Sequence, residues 1–192
     1  DNVETATRLA AALVAGGLPV IEITLRTPSA LQSIRAIAHD GGGAMVGAGT
    51  VLDGAMMKDS VEMGAQFLVS PGATQDLLTS SRKFDIPLLP GVATASEAMG
   101  LYTEGFSALK FFPAEQAGGA AYLKALSAPI PQITFCPTGG ITAELAPKYL
   151  ALPNVSCVGG SWIAPKNLVL SGSFDAITTL AREASGLMDK SD

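Results

Sequence analysis

Apolar runs of strand length alternate with amphipathic stretches of helical period along the chain. Residues 2–15 place Leu9, Ala12 and Leu13 on one helical side and stop at Gly16-Gly17. Residues 20–25 read as a strand. Thr27-Pro28 then pairs a cap with a proline at the first helical position, ahead of the stripe Leu31, Ile34 and Ile37. Further strands are predicted over 45–49, 66–70, 86–90, 107–112, 133–137 and 155–159. Between them come helices capped by Asp53, running to Met63, by Thr74, to Phe84, and by the Thr94/Glu97 capping box, to Glu104. A helix over 120–126 follows the strand that Pro113 stops. Thr142 is expected to open a helix to Leu150, residues 164–172 to form a loop with room for one helical turn, and 173–185 to form the last helix.

The strand ends keep a beat. Thr50, Ser70, Pro90 and Lys110 are each 20 residues apart, and Glu22 and Thr138 flank them at 28. A repeat of that length holds one strand, one helix and two short loops, so the unit is βα and the sheet parallel. The regular beat, the lack of a long crossover and the lack of a dinucleotide fingerprint after the first strand favour a (β/α)8 TIM barrel. An open doubly wound sheet is the alternative. Seven strands are predicted and a closed barrel has eight, so the first is expected ahead of residue 1. One barrel domain over 1–192 is the expected organisation.

Composition narrows the classes. The chain has 192 residues, 48% hydrophobic, with a mean hydropathy of +0.37, which suits one well-filled domain. Net charge is −5 with basic residues scattered singly, so neither nucleic acid nor a membrane surface is an expected partner. No apolar run reaches the roughly 18 residues of a membrane span and no secretory leader is legible, so a cytoplasmic protein is expected. Cys136 and Cys157 lie in strand-like segments and are expected as buried thiols. His39, the single histidine, has the position of a solvated helix-end residue. A metal site or a Ser-His triad is therefore poorly supported, and no cofactor is expected.

Lys110 changes the picture most. It sits inside the apolar run S-A-L-K-F-F-P, where alternation puts Ala108, Lys110 and Phe112 on one face and Leu109 and Phe111 on the other. In a sheet covered on both faces an ammonium is costly unless it is paired or gives up its proton, and the neutral amine is a nucleophile able to form a Schiff base. The plainer reading is a packed stem with its head in solvent.

Residues 20–26 place Glu22, Thr24 and Arg26 on one face, which in a barrel strand is the inner one. They suit either a structural ion pair or a site in which Arg26 grips a carboxylate and Glu22 moves protons. Thr50, ending G-A-G-T, offers a hydroxyl or simply a turn. Pro137-Thr138-Gly139-Gly140 and Gly159-Gly160-Ser161 end the last two strands, where glycine pairs leave N–H groups open to an anion such as phosphate.

Five motifs in order, E-I-T-L-R from Glu22, G-A-G-T-V from Gly47, K-F-F-P-A-E from Lys110, F-C-P-T-G-G-I from Phe135 and G-G-S-W from Gly159, resemble the 2-keto-3-deoxy-6-phosphogluconate (KDPG) aldolase family. These are class I aldolases that often also cleave 4-hydroxy-2-oxoglutarate (KHG). The likeness spans about residues 2–165 and favours the gluconate over the galactonate branch at residues 135–141. It implies a (β/α)8 barrel, usually a trimer. It implies Lys110 as the Schiff-base lysine, Glu22 as acid/base, Arg26 and Thr50 at the pyruvyl end, and Pro90 and Phe112 lining the pocket. Gly139, Gly140, Gly160 and Ser161 would hold the phosphate, and Thr138, at the same strand end, is expected to bind substrate. The implied partners are the phosphorylated keto-deoxy sugar acid, pyruvate and glyceraldehyde 3-phosphate. A phosphate-sugar barrel enzyme without a covalent lysine and a non-catalytic barrel that senses a phosphorylated metabolite are the rival readings.

Overall fold

The computed structural model of the chain describes residues 2–187. The backbone divides into two compact units, one running to Leu88 and taking in Ile163–Gly186, the other Leu89–Trp162. Each is α/β with parallel strands.

The first unit carries β1 (Val20–Thr24), β2 (Met45–Gly49) and β3 (Leu68–Val69), with β4 (Leu88–Leu89) at its boundary, in the order β1-β2-β3-β4. The β1/β2 register runs in parallel from Val20↔Met45 to Thr24↔Gly49. Helices α1 (Val3–Ala15), α2 (Ala30–Asp40), α3 (Gly54–Glu62) and α4 (Gln75–Ser81) belong to this unit. The predicted caps Asp53 and Thr74 hold, accepting from the amides of Met56 and Leu77. Asn2, expected as the first helical residue, instead caps α1 by accepting from Glu4; Thr27 does not cap α2, which starts at Ala30 behind Ser29. Ile21, Ile34, Ile37, Val46, Ala48, Met57 and Leu68 form its interior. Helix α9 (Phe174–Ser185) packs on α1 at Gly16, where a Cβ would fall 2.4 Å from that of Ala181. The Thr178 hydroxyl donates to the Ala12 carbonyl beside it at 3.0 Å.

The second unit carries β5 (Gly91–Val92), β6 (Ala108–Phe111) and β7 (Thr134–Pro137), all parallel, with β6 central. Helices α5 (Ala95–Thr103), α6 (Gly119–Leu126) and α7 (Ala146–Leu150) accompany them. Leu109 and Phe111 are buried, and the Phe111 ring stacks on Tyr122 of α6 at 5.7 Å and meets Phe135 edge-on at 6.4 Å. This is the helix-facing side of β6, and burial of each such side chain is worth about 1.5–3 kcal/mol.

Several expectations need correction. The run 86–90 keeps only β4, Leu88–Leu89; it stops at Pro90, which has no N–H for a ladder, and β5 resumes at Gly91–Val92. The strand expected over 155–159 is reduced to two bridges, Phe135↔Val155 and Thr138↔Gly159, whose unequal spacing leaves one extra residue between them. Thr142 does not open α7, which begins at Ala146; its hydroxyl donates to the Glu144 carboxylate instead. Residues 164–172 contain α8 (Lys166–Ser171). Cys157 is exposed and Cys136 half-buried, so the expectation of two buried thiols fails. The prediction that β1 reaches Leu25 is one residue long by strand bounds, although Leu25 N–H still donates to Gly49 at 2.9 Å.

Candidate functional site

In the first unit, β1 presents Glu22 half-buried at its centre. The carboxylate occupies the space above Gly49 of β2, where a Cβ would lie 1.8 Å from Glu22 Oε1. Only glycine leaves room there. Arg26 lies just beyond β1, exposed, with its Nε donating to Thr24 Oγ1 at 3.2 Å. Thr50, immediately after β2, has φ of 60°, a left-handed conformation that a β-branched residue adopts only under constraint. A cavity of about 220 Å³ is lined by Glu22, Thr24, Thr27 and Ser29 together with Asn2 and Thr5; Arg26 and Thr50 are not among its walls.

In the second unit, Lys110 is 6% exposed although it carries an amine. Strands flank it on both sides in the register Gly91↔Lys110↔Cys136, and its backbone N–H donates to the Pro90 carbonyl at 2.9 Å. Its Nζ sits 5.2 Å from the centre of the Phe112 ring, as the shared face predicts. Cys136 lies on the same side. Its thiol is pushed well above the ordinary range, first by a hydrogen bond with Cys157 and then by burial, while Thr138 and the charge of Lys110 pull it down. The same hydrogen bond lowers Cys157 to about 7.

Beyond β7, Thr138 pairs with Gly159, and the Thr138 and Gly139 carbonyls accept from Ala114 and Glu115 at 2.9 and 3.2 Å. Gly139 and Gly140 have φ of 106° and 78°, conformations closed to most side chains. Gly160 lies under the Trp162 indole, where a Cβ would fall 1.7 Å from the ring. Gly140, Gly160 and Ser161 are exposed, an arrangement open to an anion.

The structure thus brings Pro90, Lys110 and Phe112 together, and separately Thr138 with Gly139 and Gly159. Sequence reasoning missed Gly49, whose role the β1/β2 register carries, and Cys136. The latter was within reach, since alternation along β7 puts it on one face with Thr138.

A buried amine on a parallel strand, with glycine-rich strand ends near it in sequence, defines a candidate Schiff-base site on an α/β fold. The family described as "Aldolase: KDPG and KHG aldolase" matches residues 1–180. The Escherichia coli (strain K12) KHG/KDPG aldolase is 49% identical over 95% of this chain and 86% of its own. The 2-dehydro-3-deoxy-phosphogluconate aldolase of Pseudoalteromonas atlantica is 48% identical over 95% and 85%. Among solved structures, the Legionella pneumophila KDPG aldolase superposes with a TM-score of 0.93 at 45% identity, covering 96% of this chain and 89% of its own; that structure holds pyruvate as a covalent carbinolamine. A thiamine phosphate pyrophosphorylase from Pyrococcus furiosus, at 13% identity and TM-score 0.68, shares the fold alone. The chain belongs to the KDPG and KHG aldolase family.

Proposed function

We propose that this protein is a class I aldolase that cleaves 2-dehydro-3-deoxy-6-phosphogluconate to pyruvate and glyceraldehyde 3-phosphate, and 4-hydroxy-2-oxoglutarate to pyruvate and glyoxylate. The observation that carries this reading is the burial of Lys110 within β6, in a chain that matches the family along most of its length. In this reading the strands of both units belong to one (β/α)8 barrel domain, assembled as a cytoplasmic homotrimer.

Lys110, in its neutral form, attacks the C2 ketone, and Glu22, directly or through a water, moves the protons that turn the carbinolamine into an iminium. The iminium is the electron sink, so no metal is needed to polarise the ketone. Glu22 then takes the C4 hydroxyl proton as the C3–C4 bond breaks, and glyceraldehyde 3-phosphate leaves. The enamine is protonated and hydrolysed to pyruvate. Arg26 and Thr50 hold the carboxylate end, Pro90 and Phe112 line the pocket with Thr138 also against the substrate, and Gly139, Gly140, Gly160 and Ser161 take the phosphate. Gripping both ends fixes the reacting carbons against the amine, which is where the rate gain from orientation arises.

The test is pyruvate release from the phosphorylated substrate, combined with borohydride trapping of a pyruvate adduct on wild type and on Lys110→Ala. Release with a trapped adduct on wild type alone supports the reading. Turnover without an adduct would indicate an enzyme that needs no covalent lysine, and ligand binding without turnover a sensor. Light scattering or mass photometry checks the trimer.

A further inference from the structure

Glu115 and Tyr149 form a polar pair that the mechanism leaves unused. Tyr149, on α7, is fully buried, and its hydroxyl donates to Glu115 Oε1. Burial first, and then the carboxylate, raise the phenol above its ordinary value, so it stays a donor. A buried hydroxyl needs such a partner.

Glu115 in turn shapes the Gly139–Gly140 turn. Its backbone N–H donates to the Gly139 carbonyl at 3.2 Å, and Ala114 N–H donates to Thr138 at 2.9 Å. Its Cβ and Cγ both lie 2.9 Å from the point where a Gly140 side chain would begin. The stem of Glu115 therefore packs on Gly140 while its carboxylate is bonded to α7. Without that bond a negative charge so close to the turn would be free to swing towards any anion bound there, and like charges at short range repel strongly where water is partly excluded.

We propose that Glu115 and Tyr149 are positioning residues for phosphate, Tyr149 holding the Glu115 carboxylate away from the Gly139–Gly140 turn while the Glu115 stem and amide set its shape. This rests on the phosphate assignment above. Loss of the hydrogen bond in Tyr149→Phe should raise KM for the phosphorylated substrate by about tenfold, a typical weight for one such bond to a charged group. KM for the non-phosphorylated 4-hydroxy-2-oxoglutarate, and kcat for both substrates, should move by less than about twofold, because the reacting carbons are untouched. Adding Glu115→Gln to Tyr149→Phe should restore most of the KM, since the freed side chain no longer carries charge.

Equal changes in KM for the two substrates, or no rescue in the double variant, would overturn the proposal and leave the aldolase reading standing. A wild type whose turnover is indifferent to the phosphate group, with inorganic phosphate failing to compete, would overturn the phosphate assignment and this proposal together. Should Tyr149→Phe fail to fold, Glu115→Ala takes its place. Removing the stem should speed hydrogen exchange at the Gly139 and Gly140 amides, and unchanged exchange there would count against the proposal.

Discussion

Glu22 and Lys110 each sit near the middle of a parallel strand, but the two strands house a charged group in opposite ways. Lys110 is enclosed by what surrounds it: strands on both sides, the Phe112 ring beneath its nitrogen, and 6% exposure. Glu22 is accommodated by what its neighbour lacks, because Gly49 leaves empty the space its carboxylate fills. Its strand ends its sheet among the described residues, and Val20 at the start is 62% exposed. An enclosed amine is set by packing, so changes around it act through volume. A carboxylate seated on a glycine is set by one absent methyl, so the smallest side chain on the next strand acts on it directly.

The largest effect should come from removing the enclosed group. Lys110→Ala should abolish both turnover and the borohydride-trapped pyruvate adduct, read by intact mass; an adduct that persists places the nucleophile elsewhere. Glu22→Gln should lower kcat by roughly two to four orders of magnitude, the usual weight of general acid/base help. A near-normal rate would make Glu22 a structural group. Gly49→Ala sharpens the contrast: it should push the Glu22 carboxylate aside and cut kcat by about 10- to 100-fold, since small misplacements near the reacting centre cost on that scale. Pyruvate trapping on Lys110 should be slowed in that variant, because Glu22 also serves iminium formation, but should still reach completion; its outright loss would show that Lys110 itself had been displaced.

A smaller effect lies away from both strands. Thr94→Ala should cost about 1 kcal/mol in urea unfolding, the ordinary worth of a helix N-cap. In the same capping box, the amide of Ala93, then the Thr94 side chain and amide, hold Glu97 below its usual range against a partly opposing desolvation. A carboxyl lowered in the folded state stabilises above its unfolded pKa and loses that contribution as pH falls through the folded one. The stability gap between wild type and Glu97→Gln should therefore shrink on acidification from neutral pH. Smallest of all, alkylation of Cys157 by iodoacetamide should rise with a midpoint near pH 7, where its hydrogen bond with Cys136 places it.

How much of this was legible beforehand follows from the kind of information each feature needs. Most helix starts were readable because an N-cap is local: Asp53, Thr74 and Thr94 each bond an amide within three residues. The face of Lys110 was readable because alternation along one strand is local too. The meeting of Glu22 with the gap at Gly49, 27 residues on, depends on the register between β1 and β2, which no single segment encodes. Thr142 misled because its hydroxyl has a nearer carboxylate to bond, and 155–159 misled because apolar character alone does not fix an unbroken ladder. Cys157 lies in that same segment, between the bridges at Val155 and Gly159, and is exposed there.

The molecule contains one indole, at Trp162, resting on Gly160. Its emission thus reports from a single address, with no other tryptophan to dilute the signal. A titration followed by intrinsic fluorescence would watch that corner of the protein alone, without dye or tag.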